Sequence, residues 1–121
     1  MVALGPMMRM RAPAAMTAQA AVLSGLRQAL ESGQFELHLQ AQFDGKGRRI
    51  GAEALLRWRR EDGTLVPPDA FIPHAESSGL IVQIGTWVLE RACQILAAWS
   101  VSRPDERLSV NVSARQFRQP D

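Results

Sequence analysis

Residues 35–59 constrain the fold most tightly. In "FELHLQAQF", Phe35, Leu37, Leu39, Ala41 and Phe43 alternate with Glu36, His38, Gln40 and Gln42. A period of two is that of a strand with one apolar and one polar face. "DGKG" (Asp44 to Gly47) follows and supplies turn chemistry. A second strand runs from about Arg49 to Arg59 through "GAEALLRW". Two strands joined by so short a Gly-rich connection pair as an antiparallel hairpin.

The remaining pattern alternates helix and strand. Residues 1–16 are rich in Met, Pro and Ala without a clear period, so they are expected to be a disordered leader or the remnant of a linker. From Thr17, a candidate cap, Val22, Leu23, Leu26 and Leu30 recur at helical spacing, and Ser32-Gly33 ends that helix, predicted over 17–31. Gly63, Pro67, Pro68, Pro73 and Gly79 mark a loop with a short helix starting near Pro68-Asp69. A long helix is predicted from about Leu80 to Ser100, with Ile84, Val88, Ala92, Ile95, Leu96 and Trp99 on its apolar stripe. A third strand alternates Leu108, Val110 and Val112 with Ser109, Asn111 and Ser113, and "RQPD" reads as the start of another helix. Strand, helix and strand in that order favour an α/β fold with a parallel pair. Three strands make an incomplete sheet, and parallel strands need cover on both faces.

The 121 residues suffice for one small domain. Thirteen Arg and one Lys give a formal net charge of only +2, with acids interspersed. No basic stripe suited to a nucleic-acid duplex stands out. No apolar run approaches the ~20 residues that span a bilayer, and Pro13, Thr17 and Gln19 interrupt what would have to be the apolar core of a secretion signal. The single cysteine, Cys93, excludes an internal disulfide and suits a cytoplasmic location. Its amphipathic context, "ERACQILAAW", predicts a small buried residue.

The chemistry concentrates in the strands. Glu53, Leu55 and Arg57 share one face of the second strand, and Ala52, Ala54, Leu56 and Trp58 the other. At ~3.3 Å per residue, Glu53 and Arg57 lie about 13 Å apart, too far for a direct ion pair. If the polar faces of the three strands align, Gln40, Glu53, Arg57 and Asn111 converge. A carboxylate and an amide oxygen suit Mg²⁺, Mn²⁺ or Ca²⁺, and an arginine suits a phosphate. Spacing alone is a weak signal for such a site and favours a structural network in a polar barrel interior. His38 is expected to be a hydrogen-bonded interior residue, His74 a surface loop residue, and Glu76 to hold its loop through backbone N–H groups. Ser113 and Arg115 could reach a ligand at the strand end. Trp58, Trp87 and Trp99 are expected in the core. Gly-rich phosphate loops, Ser-His-Asp order and Cys/His zinc spacing are absent from the sequence.

Taken in order, "FELHLQAQFD", "GAEALLRW", "PDAFIPHAESSGLI", "WVLERAC" and "VNVS" resemble the first half of an EAL domain, the bacterial family that cleaves cyclic di-GMP. The match runs from about Leu26 to Asp121, and residues 10–30 resemble the helix that often joins a GGDEF domain to an EAL domain. The resemblance implies a modified TIM barrel whose first strand is antiparallel to the others. Glu53 is similar to the first metal ligand of the family and so to a catalytic residue, Asn111 to the second ligand, and Gln40, Leu55 and Arg57 to substrate-contacting positions. Mg²⁺ or Mn²⁺ and two-metal hydrolysis to linear pGpG are implied with them. Gln40-Ala41 stands where the family usually has Gln-Pro. The family's further metal-ligating Glu, its Asp-Asp pair and its Lys beside the water have no counterpart in these 121 residues. The expectation is therefore part of a phosphodiesterase site that does not turn over alone. The alternatives are a non-catalytic interaction or signalling module, which could pair with itself or another EAL chain, and a truncated product without its own role.

Overall fold

The computed structural model describes residues 14–111. Helix α1 (Ala14–Ser32) precedes strands β1 (Phe35–Phe43), β2 (Arg49–Arg59) and β3 (Leu65–Val66). Helices α2 (Pro68–Ser78) and α3 (Leu80–Ser102) follow, then strand β4 (Arg107–Val110). β1 pairs antiparallel with β2 from Phe35 opposite Trp58 to Phe43 opposite Arg49, with a register shift at Gln42/Phe43. β2 pairs antiparallel with β3 through Trp58 and Arg59, and parallel with β4 from Gly51 opposite Arg107 to Ala54 opposite Val110. The predicted hairpin and parallel pair are therefore both present. This is a partial (β/α) barrel whose first strand runs antiparallel to the second and whose last runs parallel to it.

The β1–β2 turn is closed by Asp44, whose Oδ1 accepts the backbone N–H of Lys46 at 2.8 Å and of Arg48 at 2.9 Å. Those two N–H groups hold the Asp44 carboxyl below its ordinary range. Asp62 plays the same part after β2, accepting the Thr64 N–H at 2.9 Å, and this second turn makes β3. β3 falls in the stretch expected to be loop, because two residues are too few to show a period.

α1 begins at Ala14, so Thr17 lies inside the helix and does not cap it. Ala and Met have high helix propensity and carry the helix three residues further back. The leader expected at 1–16 otherwise lies outside the described residues. The helix starting at Pro68 is longer than expected. Pro68 occupies the first turn, where its missing N–H costs nothing, and Phe71 and Ala75 are buried on either side of Pro73. That burial offsets the hydrogen bond Pro73 cannot make. His74 and Glu76 therefore sit on a helix, not in a loop. Gly79, at φ 87°, ends α2 in a left-handed conformation and leads directly into α3.

All three helices contribute to one core over the apolar face of the sheet. Leu26, Phe35, Trp58, Val66, Phe71, Ile84 and Val88 belong to it, with Leu37, Leu56, Trp87 and Val110 packed against it. Trp58 and Phe71 meet edge to face at 5.6 Å between centroids, and Phe35 lies about equally far from Trp58, Phe71 and Trp87. On α3 the buried stripe is Ile81, Ile84, Val88, Ala92 and Ile95. Cys93 lies one residue round from Ala92 and is exposed, correcting the buried placement. Leu96 is likewise off the stripe, and Trp99 is half-buried beneath the Arg103 guanidinium. By length and composition α3 could also cross a bilayer, but here its apolar stripe packs on the sheet. Leu39 and Phe43 on β1 and Ile50 on β2 remain exposed, as expected of an open sheet.

Candidate functional site

The face of the sheet turned away from the helices is polar. Register places Gln40 opposite Glu53, His38 opposite Leu55 and Glu36 opposite Arg57, and residues paired across a ladder share a face. On the other flank of β2, Ser109 lies opposite Glu53. Asn111, one residue past the end of β4, returns to that face and donates from Nδ2 to Glu53 Oε1 at 3.0 Å. The structure thus brings Gln40 of β1, Glu53 of β2 and Asn111, just past β4, together on one face.

Glu53 and Arg57 are not partners, as their spacing required. Arg57 Nη1 donates to the carbonyl oxygen of Leu56 at 2.8 Å. Arg57, Leu55 and Asn111 also line a cleft of about 280 Å³ with Pro68, Ile72 and Glu76 of α2 and Ile84 of α3. The cleft opens where β2 lacks a neighbour among the described residues, between its pairing with β4 and its pairing with β3. Its walls are chiefly apolar, with Arg57, Glu76 and Asn111 as polar groups. Ser113 and Arg115 lie outside the described residues.

A second cluster, not among the sequence expectations, lies on the same face. Glu36 Oε1 accepts from Arg59 Nη2 at 2.9 Å and lies 2.6 Å from His38 Nε2. Arg59 Nε reaches both Glu36 oxygens at 3.3 Å. His38 is thus hydrogen-bonded as expected, but its side chain is 42% exposed and not interior. The signal was present in the hairpin register, which sets Arg59 diagonally from Glu36. The hydrogen bonds from Arg59, and then from His38, lower the Glu36 carboxyl to about 2, and Glu36 in turn raises Arg59. A carboxyl depressed below its ordinary 4.5 adds stability above that pH, and loses it as pH falls from 4.5 towards 2. The difference in melting temperature between wild type and Glu36→Gln should therefore shrink across that interval. A difference unchanged down to pH 2 would contradict this arrangement.

The fold and this two-part polar face define a partial barrel of the EAL type. The EAL domain family model matches residues 24–121, and the chain belongs to that family. It is 46% identical over 101 residues to the bifunctional diguanylate cyclase/cyclic di-GMP phosphodiesterase MucR of Pseudomonas aeruginosa, covering 82% of this chain and 15% of that protein. It is 41% identical over 94 residues to the cyclic di-GMP phosphodiesterase PdeR of Escherichia coli, covering 78% of this chain and 14% of the relative. The solved phosphodiesterase domain of MucR, in complex with c-di-GMP, superposes with a TM-score of 0.73 at 46% identity. That likeness covers 80% of this chain and 40% of the solved one. The chain thus spans about one-seventh of these two curated relatives' length.

Proposed function

We propose that this chain forms part of a phosphodiesterase site that hydrolyses cyclic di-GMP to linear pGpG, with Glu53, Asn111, Gln40, Leu55 and Arg57 on its working face. The observation that carries the reading is the Asn111–Glu53 hydrogen bond, which fixes oxygen donors of β2 and β4 on the face that also bears Arg57. Two relatives whose names include cyclic di-GMP phosphodiesterase support it.

The donor set fits a hard divalent cation such as Mg²⁺ or Mn²⁺ in kind. Glu53 keeps one carboxylate oxygen free of Asn111, and the Asn111 and Gln40 amides add carbonyl oxygens. Among the described residues no group of three His, Cys, Asp or Glu forms a ready-made cation site. When bound, such ions would activate water and neutralise phosphate charge. Arg57 would bind a phosphate oxygen, Leu55 would offer apolar surface to a base, and the cleft wall of Ile72 and Ile84 would exclude water from one side. We extend the reading to a cytoplasmic setting, since the one cysteine forms no internal disulfide.

Three oxygen-bearing side chains fill only part of an octahedral shell. The 121-residue chain alone should accordingly bind cyclic di-GMP saturably in millimolar Mg²⁺ without turning it over. Arg57→Ala should weaken binding by about tenfold or more, the expected loss for a charge-assisted contact. Calorimetric titration and chromatography of the nucleotide check both points. Absence of saturable binding would sink the reading, and turnover above a Glu53→Ala control would overturn the inactivity. A second reading, a non-catalytic cyclic di-GMP-binding module, is favoured by Glu53 having only amides beside it, with no cluster of three acidic, imidazole or thiol ligands among the described residues. It expects the same affinity in EDTA as in Mg²⁺, whereas the catalytic reading expects a Glu53-dependent gain with metal.

A further inference from the structure

Glu36 is the side chain directly opposite Arg57 in the β1–β2 register, so their Cβ atoms stand about 4.5–5.5 Å apart on one face. A carboxylate and a guanidinium so placed would ordinarily pair. They do not: Arg57 turns to its own neighbour's carbonyl, and both Glu36 oxygens are engaged elsewhere. We propose that Arg59 is a positioning residue which, with His38, holds the Glu36 carboxylate off Arg57 and leaves Arg57 open to an anionic ligand. The inference rests on the reading of Arg57 as a phosphate contact.

Three features favour Arg59 in the competition. Its Nε and Nη2 present a fork to the two Glu36 oxygens, whereas a lone ammonium would offer one point of contact. Its Nη1 donates to the carbonyl of Gly63 at 3.2 Å, so the β2–β3 turn anchors the guanidinium before Glu36 is met. His38 adds its contact from two residues further along β1, on the same face. The depressed Glu36 carboxyl agrees with a group held in its charged form by these two partners. Without Arg59, the nearest cation across the ladder is Arg57.

The test uses Arg59→Met, which keeps the apolar stem, alone and with Glu36→Gln. In ligand-free protein, nitrogen NMR of the Arg57 guanidinium should shift in Arg59→Met and show slowed rotation, because Glu36 now pairs with it. Both changes should revert in Glu36→Gln/Arg59→Met. An Arg57 signal unmoved by Arg59→Met, or equally moved in the double variant, would overturn the proposal. If Arg59→Met does not fold, Glu36→Gln alone still decides. It should leave the Arg57 signal in place, and a shift there would mean that Glu36 and Arg57 already interact. With cyclic di-GMP as probe, affinity should fall about two- to fivefold in Arg59→Met, the scale of one exposed ion pair in competition. The double variant should recover it. A merely structural Arg59 would lower both affinity and melting temperature with no recovery. Wild-type protein that binds no cyclic di-GMP would defeat the functional reading above, while the ligand-free spectra would still decide this one.

Discussion

Gly51→Ala will detach β4 from β2. A Cβ built on Gly51 collides with the carbonyl oxygen of Arg107 and falls 2.9 Å from its backbone carbon and nitrogen. These are main-chain atoms of the paired strand, with no flexible side chain to yield. The strands must separate or slip, and a slip of one residue would turn Ser109 and Asn111 onto the apolar face. The cost expected for such overpacking is about 1–3 kcal/mol. For a domain of this size it lowers the melting temperature by roughly 5–20 °C. The functional consequence is more specific than the loss of stability. Asn111 reaches Glu53 only because β4 lies in register, so contacts between their side chains should vanish from NMR spectra of the variant. An unaltered melt with those contacts intact would show that the strands are not as close as Arg107 and Gly51 indicate.

Trp58→Ala should be the most damaging single change. The indole is 2% exposed, packs edge to face on Phe71, and donates from Nε1 to Gln34 Oε1 at 3.0 Å. Replacing a buried tryptophan by alanine costs about 3–5 kcal/mol in lost transfer energy and cavity. That is a large share of the roughly 5–15 kcal/mol that holds a small domain folded. Trp58→Phe retains most of the packing and strands only the Gln34 acceptor, so it should fall between wild type and Trp58→Ala. Urea unfolding should show midpoints in that order. A Trp58→Ala midpoint equal to that of wild type would remove the aromatic cluster from its place at the centre of the fold. Because Arg57 and Trp58 are consecutive on β2 and point to opposite faces, this packing also fixes where Arg57 stands.

Much of this was legible in the sequence because the hairpin writes its own register. Alternation in Phe35–Phe43 and a short turn at Asp44 fix which residues share a face, and from that Gln40, Glu53, Leu55 and Arg57 fall on one side. The faces of Ser109 and Asn111 were equally readable, since Val110 must face the core. What was not legible has physical causes. β3 is two residues long and leaves no period. Pro73 signals a break, yet the helix continues through it because Phe71 and Ala75 are buried on either side. Cys93 and Ala92 differ by only one helical step, and both would pass as apolar. The Glu36–Arg59 pair was hidden because each residue, read within its own strand, is just another solvent-facing charge.

The Asn111–Glu53 bond also sets an order on events. Gln40 and Glu53 are brought together by a turn of a few residues, whereas Asn111 and Glu53 are separated by 58 positions. For a flexible chain, closing that longer loop costs about 1.3 kcal/mol more entropy than bringing Gln40 to Glu53. The hairpin half of the face therefore belongs to the fast, local part of folding. The half contributed by β4 belongs to the slow, non-local part and is the first to be given up when the chain begins to open.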